Sequence, residues 1–213
     1  MKKYEENIAS LLLQCNAIKL SPEKPFQWAS GWLSPIYCDN RRTLAYPEIR
    51  SAIKYSFVDL INENFLSTEV IAGVATGAIA QGALVADMLG LPFVYVRSEP
   101  KSHGLENLIE GETKPGQKVV VIEDLVSTGG SSLKAVQALR QNGCEVLGMA
   151  AIFTYGFPRA VESFKEAGCV LHTLSNYDVM LQLAMESGYI SEQSLETLSM
   201  WRLSPDTWNR KEH

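Results

Sequence analysis

From residue 69 onward, short apolar runs alternate with stretches of helical periodicity, and this alternation restricts the fold more than any other feature of the chain. The strand-like runs are 70–74, 93–96, 119–122, 146–153 and 170–174, and helical stretches between them are 78–89, 131–142 and 158–167. Each helical stretch ends just before a glycine, which can adopt the left-handed conformation that closes a helix. Strands that alternate with helices predict an α/β fold with a mostly parallel central sheet flanked by helices.

The chain before residue 69 follows a different pattern. Apolar residues at helical spacing predict a helix over 4–17, and Pro47 is placed to begin a second helix that runs to about Asn64. Between them, residues 18–45 are short extended pieces broken by prolines and a glycine. With two further helices expected in 177–203, the sequence predicts a single domain, with a small hood at about 1–45 and a core at about 65–213.

Composition excludes several classes of protein. The 213 residues carry a formal net charge of -5, which gives no overall electrostatic footprint for nucleic acid or an anionic membrane. No run approaches the roughly 18 apolar residues that span a bilayer, and the N-terminus lacks the apolar stretch of a signal peptide. The four cysteines are scattered without Cys-x-x-Cys spacing, which argues against a zinc site and indicates free thiols in a reducing cytoplasm.

The most informative segment is 119–131, where an apolar strand leads into Glu123 and Asp124 and then into a turn of small residues. Parallel sheets bind ligands beyond the carboxyl ends of their strands. The turn 127–131 can wrap N–H groups and hydroxyls around a phosphate at the start of the next helix. The two carboxylates can accept hydrogen bonds from vicinal sugar hydroxyls or attract magnesium. The alternative is a solvated strand end followed by an ordinary helix N-cap.

Two other segments are informative when they are considered together with 119–131. Residues 73–78 form a second small-residue turn after a strand, which is either a phosphate-binding loop or a tight turn capped by Thr76. Residues 97–116 are polar, with two prolines and three glycines between two strands. A loop of this length is typical of a functional lid. Its cations Arg97, Lys101 and His103 suit an anionic leaving group, unless they are simply solvated.

Residues 26–41 lack helical periodicity and combine a glycine and a proline with several aromatic side chains. The ring of Tyr37 and backbone groups near Ile36 can bind a flat base. The alternative is a structured hood in which Trp28 and Tyr37 are merely packed.

Taken together, these segments resemble the type I phosphoribosyltransferases. Residues 119–131 resemble their motif for phosphoribosyl diphosphate (PRPP), and 73–78 resembles the loop that holds the diphosphate. The pattern Ser-Gly-x-x-Ser-Pro-x-Tyr at 30–37 resembles the segment that folds over the base in orotate phosphoribosyltransferases. The spacing of arginine, lysine and histidine from residue 97 to 104 resembles the mobile catalytic loop of the same family.

The resemblance implies transfer of ribose 5-phosphate from PRPP to orotate. It implies catalytic roles for Lys101, His103 and Asp124, a magnesium ion held mainly through PRPP, and a cytoplasmic homodimer in which the 97–116 loop reaches the neighbouring active site. The substrate-binding residues that it implies are Arg97, Glu123, Val126, Ser127, Thr128, Gly129, Gly130, Ser131, Ala75, Thr76, Gly77, Ser30, Ile36, Tyr37, Arg41 and Tyr155.

The sequence departs from the family pattern in several places. Ser98 stands where a loop lysine is frequent, and Ala29 stands where many members have a ligand-contacting lysine. Arg41 is the candidate replacement for that lysine, and Tyr155 is expected to line the base pocket in place of an arginine. A purine phosphoribosyltransferase or a PRPP-sensing regulator would share the PRPP motif. The segment 26–41 and the lysine–histidine loop favour the orotate enzyme.

Overall fold

The computed structural model describes residues 4–28, 31–98 and 108–208. The first part of the chain contains α1 (Glu5–Gln14), β1 (Ile18–Leu20), β2 (Phe26–Gln27), β3 (Leu33–Ser34), β4 (Ile36–Cys38), a 3-10 helix (Asn40–Ala45) and α2 (Pro47–Asn64). Strand β1 pairs antiparallel with β4, and β2 pairs antiparallel with β3. Both predicted helices are confirmed, and the extended pieces between them form two small two-stranded sheets.

The rest of the chain forms one central sheet and the helices that cover it. Its elements are β5 (Val70–Val74), α3 (Ile79–Leu89), β6 (Phe93–Val96), β7 (Ile109–Glu110), β8 (Lys118–Val126), α4 (Gly130–Gln141), β9 (Glu145–Thr154), α5 (Pro158–Glu166), β10 (Leu171–Asn176), α6 (Tyr177–Glu186) and α7 (Glu192–Leu203). The strand order is β10-β9-β8-β5-β6-β7. All neighbours run parallel except β7, which is antiparallel to β6. The predicted α/β fold, with a mostly parallel sheet flanked by helices, is confirmed.

Strand β8 is longer than the apolar run predicts. The run 119–122 ends before the two carboxylates, yet pairing with β9 continues through Val126, opposite Thr154. Glu123 pairs with Ala151 inside this ladder, so the acidic pair lies within the strand and not beyond its end. The sequence pattern missed the extension because it marks a strand by its buried apolar side chains. The pairing partner on β9, and not side-chain polarity, sets where the ladder stops.

The long polar loop also contains structure that its composition hides. Ile109 pairs with Val96, which makes β7 a short edge strand within the segment predicted as the loop 97–116. The N–H of Arg97 donates to the carbonyl of Leu108 at 2.8 Å. The chain therefore leaves the sheet edge and returns to it at neighbouring points.

Helix α1 is part of the same apolar core as the sheet. Ile8 and Leu12 on α1 are fully buried, as are Phe57 on α2 and Met180 on α6. Burial of such side chains provides the main stabilisation of a fold of this kind. No helix in the described ranges is long and apolar enough to cross a membrane.

Candidate active site

Two adjoining cavities open near the carboxyl ends of β5 and β8. The first has a volume of about 430 Å³ and is lined by Gln27, Trp28, Tyr37, Cys38, Leu125, Ser127 and Tyr155. The second has a volume of about 330 Å³ and is lined by Cys38, Asp39, Arg41, Val74, Ala75, Thr76, Gly77, Glu123, Asp124, Leu125 and Ser131. Because Cys38 and Leu125 line both cavities, a ligand in one would lie beside a ligand in the other.

The acidic pair on β8 lies in the second cavity. Glu123 is only 4% exposed. One of its carboxylate oxygens accepts the Asp124 N–H at 3.0 Å, and the other accepts the Ser132 hydroxyl at 2.7 Å. Burial raises the pKa of Glu123, and the charge of Asp124 raises it further. Glu123 is therefore held in place by the protein, while Asp124 is half-buried beside it.

The turn after β5 meets this acidic pair directly. A Cβ atom on Gly77 would overlap the carboxylate of Asp124, so the two chain segments are in close contact there. The Ala75–Thr76 peptide bond in this turn is cis, and Ala75 N–H donates to the Val96 carbonyl at 2.8 Å. The structure therefore brings the predicted residues 75–77 and 123–124 into one cavity.

The turn 127–131 connects the two cavities. Gly129 has a φ of +83°, a left-handed conformation that favours glycine. It is the N-cap of α4 and has no side chain, so the first N–H groups of the helix remain available to an anion. Ser127 lines the first cavity and Ser131 lines the second.

Val126, at the end of β8, serves the sheet. Its side chain is fully buried, and its carbonyl accepts the Thr154 hydroxyl at 3.0 Å. Val126 is not among the described residues that line either cavity.

Three of the seven described residues that line the first cavity are aromatic, namely Trp28, Tyr37 and Tyr155. Tyr37 is 39% exposed and packs on Phe26, with ring centroids 5.6 Å apart. Backbone groups near Ile36 were predicted to bind the base, but the carbonyl of Ile36 already accepts the Trp28 indole N–H at 3.2 Å and the Ser34 hydroxyl at 2.7 Å. Ile36 is fully buried and is not among the described lining residues, whereas Tyr37 and Cys38 are.

Tyr155 lines the first cavity, where the sequence predicted it to stand in place of an arginine. Its side chain is 1% exposed and packs on Trp28, with ring centroids 5.4 Å apart, and on Phe157, with ring centroids 5.3 Å apart. Burial raises the pKa of its phenol well above the ordinary value. Tyr155 therefore contributes a neutral aromatic wall.

The predicted cations occupy different places. Arg41 lines the second cavity and forms a two-point ion pair with Asp39, with nitrogen–oxygen distances of 2.6 and 3.1 Å. Arg97 lies at the sheet edge, 3.5 Å from the carboxylate of Glu110, and the described lining of neither cavity includes it. The predicted residues Lys101, His103 and Ser30 lie outside the described residues.

Asn40 and Cys38 are among the residues of the site that the sequence reasoning missed. Asn40 is 2% exposed, and its side-chain amide donates to the Asp124 carbonyl at 2.6 Å. The thiol of Cys38 donates to the Asn40 side-chain oxygen at 3.4 Å. Nothing local in the sequence marks this link, because it joins residues 84 positions apart.

Ser132, which holds Glu123, did carry a signal. It precedes the buried residues Ala135, Val136 and Leu139 by three, four and seven positions. That spacing places Ser132 on the face of α4 that packs against the sheet. The prediction stopped one residue short, at Ser131.

Comparison with known proteins agrees with this geometry. Residues 42–179 match the phosphoribosyl transferase domain family, so the chain is a member of the phosphoribosyltransferases. An orotate phosphoribosyltransferase of Porphyromonas gingivalis is 62% identical over 98% of this chain and 99% of its own length. One of Streptococcus pneumoniae is 53% identical over 95% of this chain and 97% of its own length.

A solved structure shows the same relationship. The orotate phosphoribosyltransferase of Aeropyrum pernix superposes with a TM-score of 0.75 at 28% identity, over 86% of this chain and 99% of that one. The chain belongs to the orotate phosphoribosyltransferases.

Proposed function

We propose that this chain transfers ribose 5-phosphate from PRPP to orotate, giving orotidine 5'-monophosphate and diphosphate in pyrimidine synthesis. The observation that carries the proposal is the pair of adjoining cavities. One combines an acidic pair with two small-residue turns, and the other has aromatic walls. Such a pair suits a phosphorylated sugar placed beside a flat base.

The second cavity suits PRPP. The turn 127–131, at the start of α4, would bind the 5'-phosphate through N–H groups and hydroxyls. Glu123 and Asp124 would accept hydrogen bonds from the ribose hydroxyls, and the turn 75–77 would hold the diphosphate. Arg41, anchored by Asp39, would add positive charge at this cavity.

The first cavity suits orotate. Tyr37 is exposed enough to stack on a ring that enters, and Trp28 and Tyr155 form further aromatic walls. Gln27 and Ser127 supply neutral hydrogen-bonding groups. The base would then lie against Leu125, beside the ribose carbon that it attacks.

In the reaction, the bond from ribose C1 to the diphosphate oxygen breaks and the diphosphate leaves with the electron pair. The ring nitrogen of orotate, already deprotonated, forms the new bond to C1. Because the sugar carries oxocarbenium character in between, stabilisation of the leaving group matters more than a strong base. We assign this stabilisation to Lys101 and Arg97, with His103 neutralising charge or donating a proton to the diphosphate.

Magnesium fits the chemistry of this site through its carboxylates. Carboxylate oxygens are ligands that magnesium prefers, together with substrate phosphates. Among the described residues there is no group of three or more potential ligand side chains. We therefore assign the ion mainly to the diphosphate of PRPP, with Asp124 as the protein carboxylate that would help to hold it. The ion would neutralise charge on the leaving group.

We also propose a homodimer in which the 97–116 loop acts on the neighbouring active site. Support comes from the point where the loop leaves the sheet, at the β6–β7 edge. A cytoplasmic location is consistent with four free cysteines.

The shared loop is tested by mixing inactive Lys101→Ala subunits with inactive Asp124→Asn subunits. Exchange of subunits should restore about a quarter of the active sites if the loop is shared. No recovery after exchange of subunits would contradict the shared loop.

The choice of base is tested by turnover on a panel of orotate, uracil, adenine and hypoxanthine with PRPP and magnesium, with products identified by mass. The proposal predicts a phosphoribosyl product from orotate. A product from a purine alone would assign the chain to purine phosphoribosyltransfer. Binding of PRPP without turnover on any base would favour the regulator.

A further inference from the structure

Helix α7 packs behind two residues that line the first cavity. Its Trp201 is fully buried and contacts Trp28 and Tyr155, each with ring centroids 5.6 Å away. The interplanar angles of these contacts are 81° and 82°, so both are edge-to-face. Trp28 and Tyr155 line the cavity, whereas the described lining does not include Trp201.

The residues in this contact come from different parts of the chain. The region that matches the phosphoribosyl transferase domain family is 42–179. Tyr155 lies inside it, whereas Trp28 precedes it and Trp201 follows it. The matched region thus contains the turns 75–77 and 127–131 and the acidic pair, while Trp28, which precedes it, and Trp201, which follows it, meet behind the first cavity.

We propose that Trp201 is a positioning residue that determines base binding by fixing the angle of Trp28 and Tyr155. This inference rests on the proposed function, in which the first cavity takes orotate. Edge-to-face packing prefers a defined ring angle, and a closely packed cluster leaves little room for either ring to turn. Without the indole of Trp201, Trp28 and Tyr155 have space to rotate, and the cavity loses its fit to a flat ring.

The indole N–H of Trp201 defines what the residue contributes. It is buried and has no hydrogen-bond partner among the described residues. The contribution is therefore shape and aromatic contact, not a polar bond. Phenylalanine at this position should preserve most of it, and alanine should not.

The test is steady-state kinetics of Trp201→Ala and Trp201→Phe, with the KM values for orotate and PRPP measured separately. Trp201→Ala should raise the KM for orotate about tenfold and leave the KM for PRPP within about twofold, and Trp201→Phe should stay near wild type. The matched control is Met200→Ala, which removes a 59% exposed side chain from the same helix. It should change neither KM.

An equal rise in both KM values for Trp201→Ala would indicate a general structural role and overturn the inference, as would an unchanged KM for orotate. If the alanine variant does not fold, Trp201→Leu is judged by the same two values. Failure of the proposed function is seen separately, because wild-type protein would then not consume orotate.

Discussion

The carboxylate of Asp124 fills the space that a side chain on Gly77 would need. Asp124 lies on β8, and Gly77 lies in the turn that follows β5, the strand next to β8 in the sheet. Gly77 belongs to the turn assigned to the diphosphate, and Asp124 to the pair assigned to the ribose hydroxyls. The two halves of the proposed PRPP site therefore fix each other's position.

Gly77→Ala should accordingly displace Asp124 and lower kcat/KM for PRPP by about a hundredfold. The matched control is Gly82→Ala in α3, the helix that follows this turn, where an added Cβ would meet the ring of Phe93 and not Asp124. That control should lose stability but keep kcat/KM near wild type. Equal kinetic effects of the two substitutions would contradict the proposed coupling between Gly77 and Asp124.

Substitutions of Ser132 and of Ser131 should have different effects, the first on stability and the second on PRPP binding. Ser132→Ala leaves the buried Glu123 carboxylate one hydrogen bond short, so the free energy of unfolding should fall by about 1–3 kcal/mol. Ser131 is exposed and lines the second cavity. Ser131→Ala should change stability by less than about 0.5 kcal/mol while raising the KM for PRPP. Denaturant titration and kinetics on both variants check this, and a reversed pattern would contradict the assignment.

Arg41 should contribute more to the binding of PRPP than to the binding of orotate. It lines the second cavity, and its two-point pair with Asp39 holds its charge there. Arg41→Met is expected to raise the KM for PRPP about tenfold and the KM for orotate less. Arg42→Met is the control, because Arg42 is a neighbouring exposed cation outside the described lining of both cavities. A larger rise in the KM for orotate would contradict this. It would support the sequence-based prediction that Arg41 replaces the ligand-contacting lysine that many members have at the position of Ala29.

Stability should depend on pH through Glu123. Burial raises its pKa, so the folded state binds the proton more tightly than the unfolded chain does. The free energy of unfolding should therefore fall as pH rises above about 4.3, the ordinary glutamate value, until the folded carboxyl has ionised. Denaturant titrations of substrate-free protein over this range should show a shallower fall for Glu123→Gln. Glu145→Gln, at an exposed position of β9, is the control and should follow wild type.

The central sheet was predictable because buried parallel strands and their covering helices leave strong apolar periodicity. The turns 73–78 and 127–131 were predictable as turns because small residues directly follow strands there. What sequence could not supply was contact between distant segments. The amide of Asn40 on the Asp124 carbonyl and the packing of Trp201 behind Trp28 arise from tertiary structure alone. The place of Arg41 could not be predicted either, since its position in the sequence does not indicate which of the two adjoining cavities it lines.

Transfer of ribose 5-phosphate to orotate is tested first by the rate of orotate loss, followed by ultraviolet absorbance, with purified protein, PRPP and magnesium. We expect loss of orotate that requires PRPP and that falls to background in Asp124→Asn. Protein that binds PRPP and leaves orotate unchanged would contradict the proposed reaction. Protein that does not bind PRPP would contradict the assignment of the second cavity as well.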